Sequence, residues 1–362
     1  MSRYIMPDPI FGKPKFPLWW AEINWLEKLP KNTFFFLWAN APGNNSINLP
    51  QGHPLYVITF HQERLDHDWI LEQSARIDAP ILILNDGSCY DLPLPDHVQF
   101  YNYYSWHHHI DQIIQWFPTK QPRQIKYKIS NICNRITQSK MMIFTALMEH
   151  HNHTDLLIKL GNWLEEKNVH SWQPTGVKEL DEITDVFREK YLGRTIMVDD
   201  FCNDVDNIQS INSNPWQPFY TQSALHFVSE SYHYSFMHTD RGEFTCPGPQ
   251  YSEKLYKCLI AGTPFIPVGQ FQSYKFLRSL GLKFNYGDLD LSWDDDPGNL
   301  TRLQGIIRLI KDLKNYTTSD IVEMTQHSTD HNIEMIWSGE FYRRCQDHNS
   351  TVRDHILEKF AS

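Results

Sequence analysis

Residues 55–86 read LYVITFHQERLDHDWILEQSARIDAPILILND. Leu55–Phe60 is a continuous apolar run that ends in the polar His61-Gln62-Glu63-Arg64. Ala79–Leu84 is a second such run and ends in Asn85-Asp86-Gly87. Asp68 to Arg76, between them, has helical spacing. Apolar runs of strand length that do not alternate with polar residues fit strands buried on both faces. Strand, helix, strand in this order makes a parallel pair.

The same pattern extends outward. Phe34–Trp38 and Val98–Tyr103 read as further strands. Phe117-Pro118-Thr119-Lys120-Gln121-Pro122 then breaks the pattern, with prolines that suit a linker. It restarts with a strand at Ile125–Ile129, a helix at Thr137–His150, and strands at Leu156–Ile158, Thr195–Val198 and Ala224–Val228. A helix over Ser252–Ala261 closes at Gly262, a strand follows at Pro264–Gly269, and a helix over Tyr274–Leu280 closes at Gly281. From Leu300 onward the chain reads as two or three helices. The expectation is an α/β protein in three parts: an N-terminal half over 1–120, a second half over 121–315 and a helical tail over 316–362. Ligands of such sheets bind at the carboxyl ends of the strands, here expected between the halves.

Composition sets the outer limits. The chain has 362 residues, 41% of them hydrophobic and 21% charged, which excludes wholesale disorder. Its 33 Lys and Arg against 43 Asp and Glu give a net charge of −10, which excludes a protein that coats nucleic acid mainly by charge. Residues 120–159 run the other way, with seven basic and two acidic residues. The six cysteines show no C-x-x-C spacing, so a zinc ribbon or disulfide scaffold is not expected. No apolar run approaches the roughly 18 residues that span a bilayer, and the start lacks the apolar core of a signal peptide. A cytoplasmic protein without membrane contact is expected.

Chemistry concentrates in residues 227–282. Glu230 ends a buried strand, where a carboxylate is costly unless it has a task. Glu253 and Lys254 open a helix. A helix start offers free N–H groups and a partial positive charge. An added lysine suits it to a pyrophosphate, and a neighbouring carboxylate can accept hydrogen bonds from ribose hydroxyls.

The block SEKLYKCLIAGTPFIPVG over 252–269, followed by LRSLGLKF over 277–284, resembles the donor-binding half of GT-B-type glycosyltransferases. More narrowly it is similar to the α-1,3-fucosyltransferase-like family with its viral and bacterial relatives. The resemblance implies a GT-B-like fold of two facing Rossmann-like domains and a metal-independent, inverting transfer of a sugar from a nucleotide sugar to an acceptor hydroxyl. It implies that Glu253 and Lys254 contact the ribose and diphosphate, with Ser252 where the family has Thr, and that Glu230 lies near the donor sugar or its ribose. Ile129-Ser130-Asn131-Ile132-Cys133-Asn134-Arg135, followed by the helix through Lys140 to Leu147, resembles the opening of the family's second domain. A basic residue there touches the diphosphate, and the position falls on Arg135 or Lys140. No cofactor beyond the nucleotide sugar is implied. The acceptor class is open: glycan, protein, small molecule or the hydroxymethylated base of a viral DNA. The host cytoplasm is the setting if the chain is viral. Arg64, Lys120, Arg123 and Lys126 are the candidate contacts for a DNA acceptor. A non-catalytic nucleotide- or sugar-binding module is the alternative from another class.

The proton of the acceptor hydroxyl needs a base at a strand end of the first half. Glu63 is the first candidate, Asp86 the second and His61 the third. Other motifs lead away from a metal. His107-His108-His109 and His150-His151-x-His153 project in different directions on a helix or strand, and read as surface or cap histidines. Asp-x-Asp occurs at 66/68, 204/206, 288/290 and 294/296, the last two pairs in what reads as a solvated turn. No P-loop, G-x-G-x-x-G or G-x-S-x-G motif is present.

Overall fold

The computed structural model describes residues 25–38, 48–60, 67–85, 93–104, 106–133, 137–160, 172–192, 196–197, 214–229, 251, 253–269 and 271–361. They form an α/β chain in two compact units. The first contains the described residues up to His109 and those from Tyr342 onward, and the second those from Ile110 to Phe341.

The first unit is built on four parallel strands: β1 Phe34–Trp38, β2 Tyr56–Phe60, β3 Ile81–Asn85 and β4 Val98–Asn102. Their spatial order is their chain order. Helix α1, His67–Ser74, lies between β2 and β3 in sequence. The strands bury both faces. Tyr56, Ile58, Ile81 and Ile83 pack with Trp69 and Ile70 of α1. The alternate residues Leu55, Val57, Leu82 and Leu84 pack with Trp25, Leu26 and Leu29, and with Val352 and Ile356 from the end of the chain. This is why residues 55–60 and 79–84 carry no polar alternation.

In the second unit the parallel strands are β5 Tyr127–Cys133, β6 Leu156–Leu160, β8 Ser223–Ser229 and β9 Phe265–Val268, and β7 Ile196–Met197 adds an antiparallel edge. The order is β7-β6-β5-β8-β9. The helices that follow are α3 Gln138–His150, α4 Lys178–Lys190, α5 Pro218–Thr221, α6 Glu253–Ala261, α7 Ser273–Ser279, α8 Asn299–Asp312 and α9 Thr318–Trp337. Helix α2, Trp106–Trp116, straddles the division between the units. Gly262 and Gly281 end α6 and α7 with φ of 68° and 94°, the left-handed region expected of a C′ glycine.

The tail that begins at 316 divides between the units. Helix α9 stays on the second, where Asn332 bonds both main-chain groups of Lys283 and Ser328 both those of Asn285. Helix α10, Glu340–Phe360, packs from Tyr342 onward within the first unit. There the buried Asn349 accepts from Tyr104 N and donates to Tyr104 O, both at 2.8 Å.

Three sequence expectations are corrected. His107 is not a surface histidine: it is fully buried in the first turn of α2, in edge contact with Tyr342. The solvated-turn reading of the 294/296 pair fits Asp296 and fails for Asp294. Asp294 is buried and accepts from Tyr274 N at 2.8 Å at the start of α7, while Asp296 accepts from Gly298 N and Thr301 Oγ1 at 2.7 Å. Burial pushes the Asp294 carboxyl up to about 6 against the pull of those α7 N–H groups. Arg123 is not a groove cation. It turns inward onto the carbonyls of Gly262, Ser223 and Ala224, and burial lowers it to about 10.

Candidate functional site

The two sheets differ in a way that locates the site. In the first, each described strand is added on the same side as the last, so the order nowhere reverses. In the second, the chain builds β5, moves outward to β6, then returns to lay β8 on the other side of β5. The reversal makes a topological switch point between β5 and β8. Open α/β sheets bind ligands outside the carboxyl ends of the strands at such a point, because the connections leave in opposite directions and open a crevice.

The strand pairing changes at this point. The β5–β8 ladder ends at Asn131↔Phe227. The ladders on either side run two residues further, to Cys133↔Leu160 and Ser229↔Val268. Thus β5 and β8 part while each stays paired to its outer neighbour. Side chains take over inside the fork. Asn131 Nδ2 donates to Phe227 O at 2.8 Å and to Ser229 Oγ at 3.0 Å, and Asn131 Oδ1 accepts from Cys133 Sγ at 3.0 Å. All three side chains are fully buried.

Two buried lysines stand in the first turns of α3 and α6. Helix α3 follows β5 and is capped by Thr137, whose Oγ1 accepts from Lys140 N at 3.4 Å. Lys140 is therefore in the first turn, and it is 1% exposed. Lys254 is the second residue of α6 and is 8% exposed. Buried lysines are rare, and a helix start is where the macrodipole least favours a cation. Both act on one group. The Cys133 thiol is pushed up to about 11 by burial, against the opposing pull of Lys140, a Ser229 hydrogen bond and Lys254. On the far side of β8, His226 is pushed down to about 3 by burial, with Lys254 and Lys257 adding to the shift, so it stays neutral.

Below the fork lies a polar cluster that keeps the sheet intact. Ser130 Oγ lies 2.7 Å from Phe219 O, Ser223 Oγ and His226 Nδ1. Lys257 Nζ sits 5.6 Å from the Tyr220 ring centroid.

Of the sequence candidates, Lys140 lies in the first turn of α3 and Lys254 in the first turn of α6, and both pull against the upward shift of the Cys133 thiol. Glu253 opens α6, and its side chain lies outside the described residues. Arg135, Glu230 and Ser252, and the base candidates His61, Glu63 and Asp86, also lie outside the described residues. Asn131, Cys133 and Ser229 were not singled out as site residues from sequence. Their signal was the presence of Ser130, Asn131 and Ser229 in otherwise apolar strands. Among the described residues no group of three His, Cys, Asp or Glu is arranged to hold a metal, and no helix is long and apolar enough to cross a membrane. No protein-family model, curated protein or solved structure matches the chain.

Proposed function

We propose that the chain is a GT-B-type, metal-independent glycosyltransferase whose second unit binds the diphosphate of a nucleotide sugar at the β5–β8 fork. One observation carries the reading: two lysines, buried in the first turns of α3 and α6, both act on the Cys133 thiol at the end of β5, beside the switch point. Each ammonium has three donors, and each helix start adds main-chain N–H groups. A diphosphate is the anion that can use both sets at once. In sugar transfer the departing nucleoside diphosphate gains charge as the glycosidic bond breaks, and fixed cations aimed at it lower the barrier. In this reading Lys140 and Lys254 do the work that a divalent ion does in metal-dependent transferases.

The remaining assignments rest on the resemblance. Arg135 or Lys140 contacts the diphosphate, Glu253 and Ser252 meet the ribose and phosphates, and Glu230 lies by the sugar. The acceptor belongs to the first unit, where Glu63, then Asp86 or His61, takes the hydroxyl proton. Attack from the face opposite the leaving group inverts the anomeric centre. A DNA acceptor loses one of its candidate contacts, because Arg123 is committed to main-chain carbonyls.

A thermal-shift panel of UDP-, GDP-, CMP- and ADP-sugars tests the reading. A ligand at 100 times its Kd stabilises the folded state by about 2.7 kcal/mol, which raises Tm by several degrees. One nucleoside diphosphate sugar should give such a rise, undiminished by EDTA, and should be hydrolysed or transferred. A rise that EDTA abolishes points to a metal-dependent enzyme. A rise without turnover favours the non-catalytic module. No rise with any of the four removes the reading.

A further inference from the structure

The proposed diphosphate site makes no use of His226, whose surroundings leave it a single protonation state. It lies in the middle of β8, fully buried, and pairs with Ser130 of β5 on one side and Phe265 of β9 on the other. Its Nδ1 is 2.7 Å from Ser130 Oγ. The hydroxyls of Ser130 and Ser223 donate to Phe219 O, at 2.7 and 2.8 Å. A serine hydroxyl has one proton to give, so Nδ1 carries its own hydrogen and donates it to Ser130 Oγ. Nε2 keeps a lone pair, buried and without a hydrogen-bond partner among the described residues. A second ring proton would sit on Nε2 with nothing to accept it. The surrounding charge is adverse as well. Lys254 and Lys257 of α6 act on the ring, and among the described residues no carboxylate does. Lys128 stands two residues before Ser130 on β5, and α5 adds the Tyr220 ring, 5.1 Å away. β9 has no titratable group, and the buried residues of α9, which also packs on β8, carry no charge.

We propose that His226 is an acid-operated release for the β5–β8 strand pair: the neutral ring ties Ser130, Ser223 and Phe219 O into one network inside the sheet, and a proton on Nε2 expels the ring and opens the second unit. The inference is independent of the transferase reading. A buried charge without a partner is costly, so the proton is taken up on opening and not before. Burial and the two α6 lysines hold the ring at about 3 in the folded chain, against about 6.5 in an unfolded one. Between those values the unfolded chain binds the extra proton. The contribution of His226 to stability is therefore full above about pH 6.5 and is lost as pH falls toward 3, by about tenfold in the folding equilibrium for each pH unit.

The test is urea unfolding of the full chain at about pH 7.5 and pH 5.5, for the wild type and for His226→Asn. The asparagine amide can still donate to Ser130 Oγ but does not titrate. Other histidines and the carboxylates are common to both proteins and cancel in the comparison. Between the two pH values the folding equilibrium constant of the wild type should fall about tenfold further than that of the variant. Equal falls overturn the release. If His226→Asn does not fold, ring NMR of the wild type decides the question. The His226 ring should then stay in its neutral, Nδ1-protonated form at every pH at which the chain is folded, and titrate only in the unfolded chain. A ring that titrates near 6.5 in the folded chain overturns the proposal.

Discussion

Lys254→Met and Lys140→Met are each expected to weaken nucleoside-diphosphate binding by about 10- to 100-fold, the usual worth of one charge-assisted hydrogen bond. The double variant should lose about three orders of magnitude, since both lysines serve the same group. Methionine keeps most of the buried stem, so the change tests the ammonium and not the packing. Because both cations lie in a helix first turn, their removal relieves an unfavourable interaction with the dipole. A lysine whose main task is the ligand should, when replaced, leave the unliganded protein melting close to the wild type. If either lysine serves mainly as half of a structural ion pair, its loss should instead cost about 3–5 kcal/mol without ligand. Calorimetry with the diphosphate, paired with urea unfolding of the free protein, separates the two outcomes.

Arg302→Met should be the most destabilising single change in the second unit. Arg302 lies on α8 and is 1% exposed. Its guanidinium donates to Gly269 O at 3.2 Å, Asp296 O at 2.8 Å and Asn299 Oδ1 at 2.6 Å. Methionine fills part of the volume but leaves three acceptors short of a donor, for a loss of about 3–5 kcal/mol. Gly269 follows the last residue of β9, the neighbour that holds β8 at the fork. The loss should therefore appear in urea unfolding and also as weaker diphosphate binding in protein that remains folded. A change below about 1 kcal/mol would show that water replaces the guanidinium at these carbonyls.

The strands of the first unit were legible because burial on both faces leaves an apolar run of defined length. Residues 34–38, 56–60 and 81–85 match the reading to within two residues at each end. β5 was less legible. Expected at 125–129, it runs from Tyr127 to Cys133. The polar Ser130 and Asn131 interrupt the apolar pattern, yet both are satisfied inside the sheet by partners nearly 100 residues away, which no local pattern reveals. Helix α4 had a readable signal in the buried Leu180, Thr184 and Phe187, spaced four and three apart, but its charged faces obscured it. The division of the tail was not readable. α9 and α10 are two long amphipathic helices separated by the left-handed Gly339, and what each packs against is set by the tertiary fold.

The candidate site was half legible. Lys254 could be chosen from sequence because a lysine at a helix start suits an anion, and Lys140, with Arg135, through the resemblance. Their shared action on the Cys133 thiol could not, because it depends on the return of the chain from β6 to β8.

The most direct measurement is a crystal structure with the nucleoside diphosphate that the thermal-shift panel selects. The two phosphates should lie at the carboxyl ends of β5 and β8, between the first turns of α3 and α6, with the ammonium groups of Lys140 and Lys254 within about 3.2 Å of phosphate oxygens. A diphosphate bound at the first sheet, or at the second with both lysines turned away, would contradict the assignment of the fork.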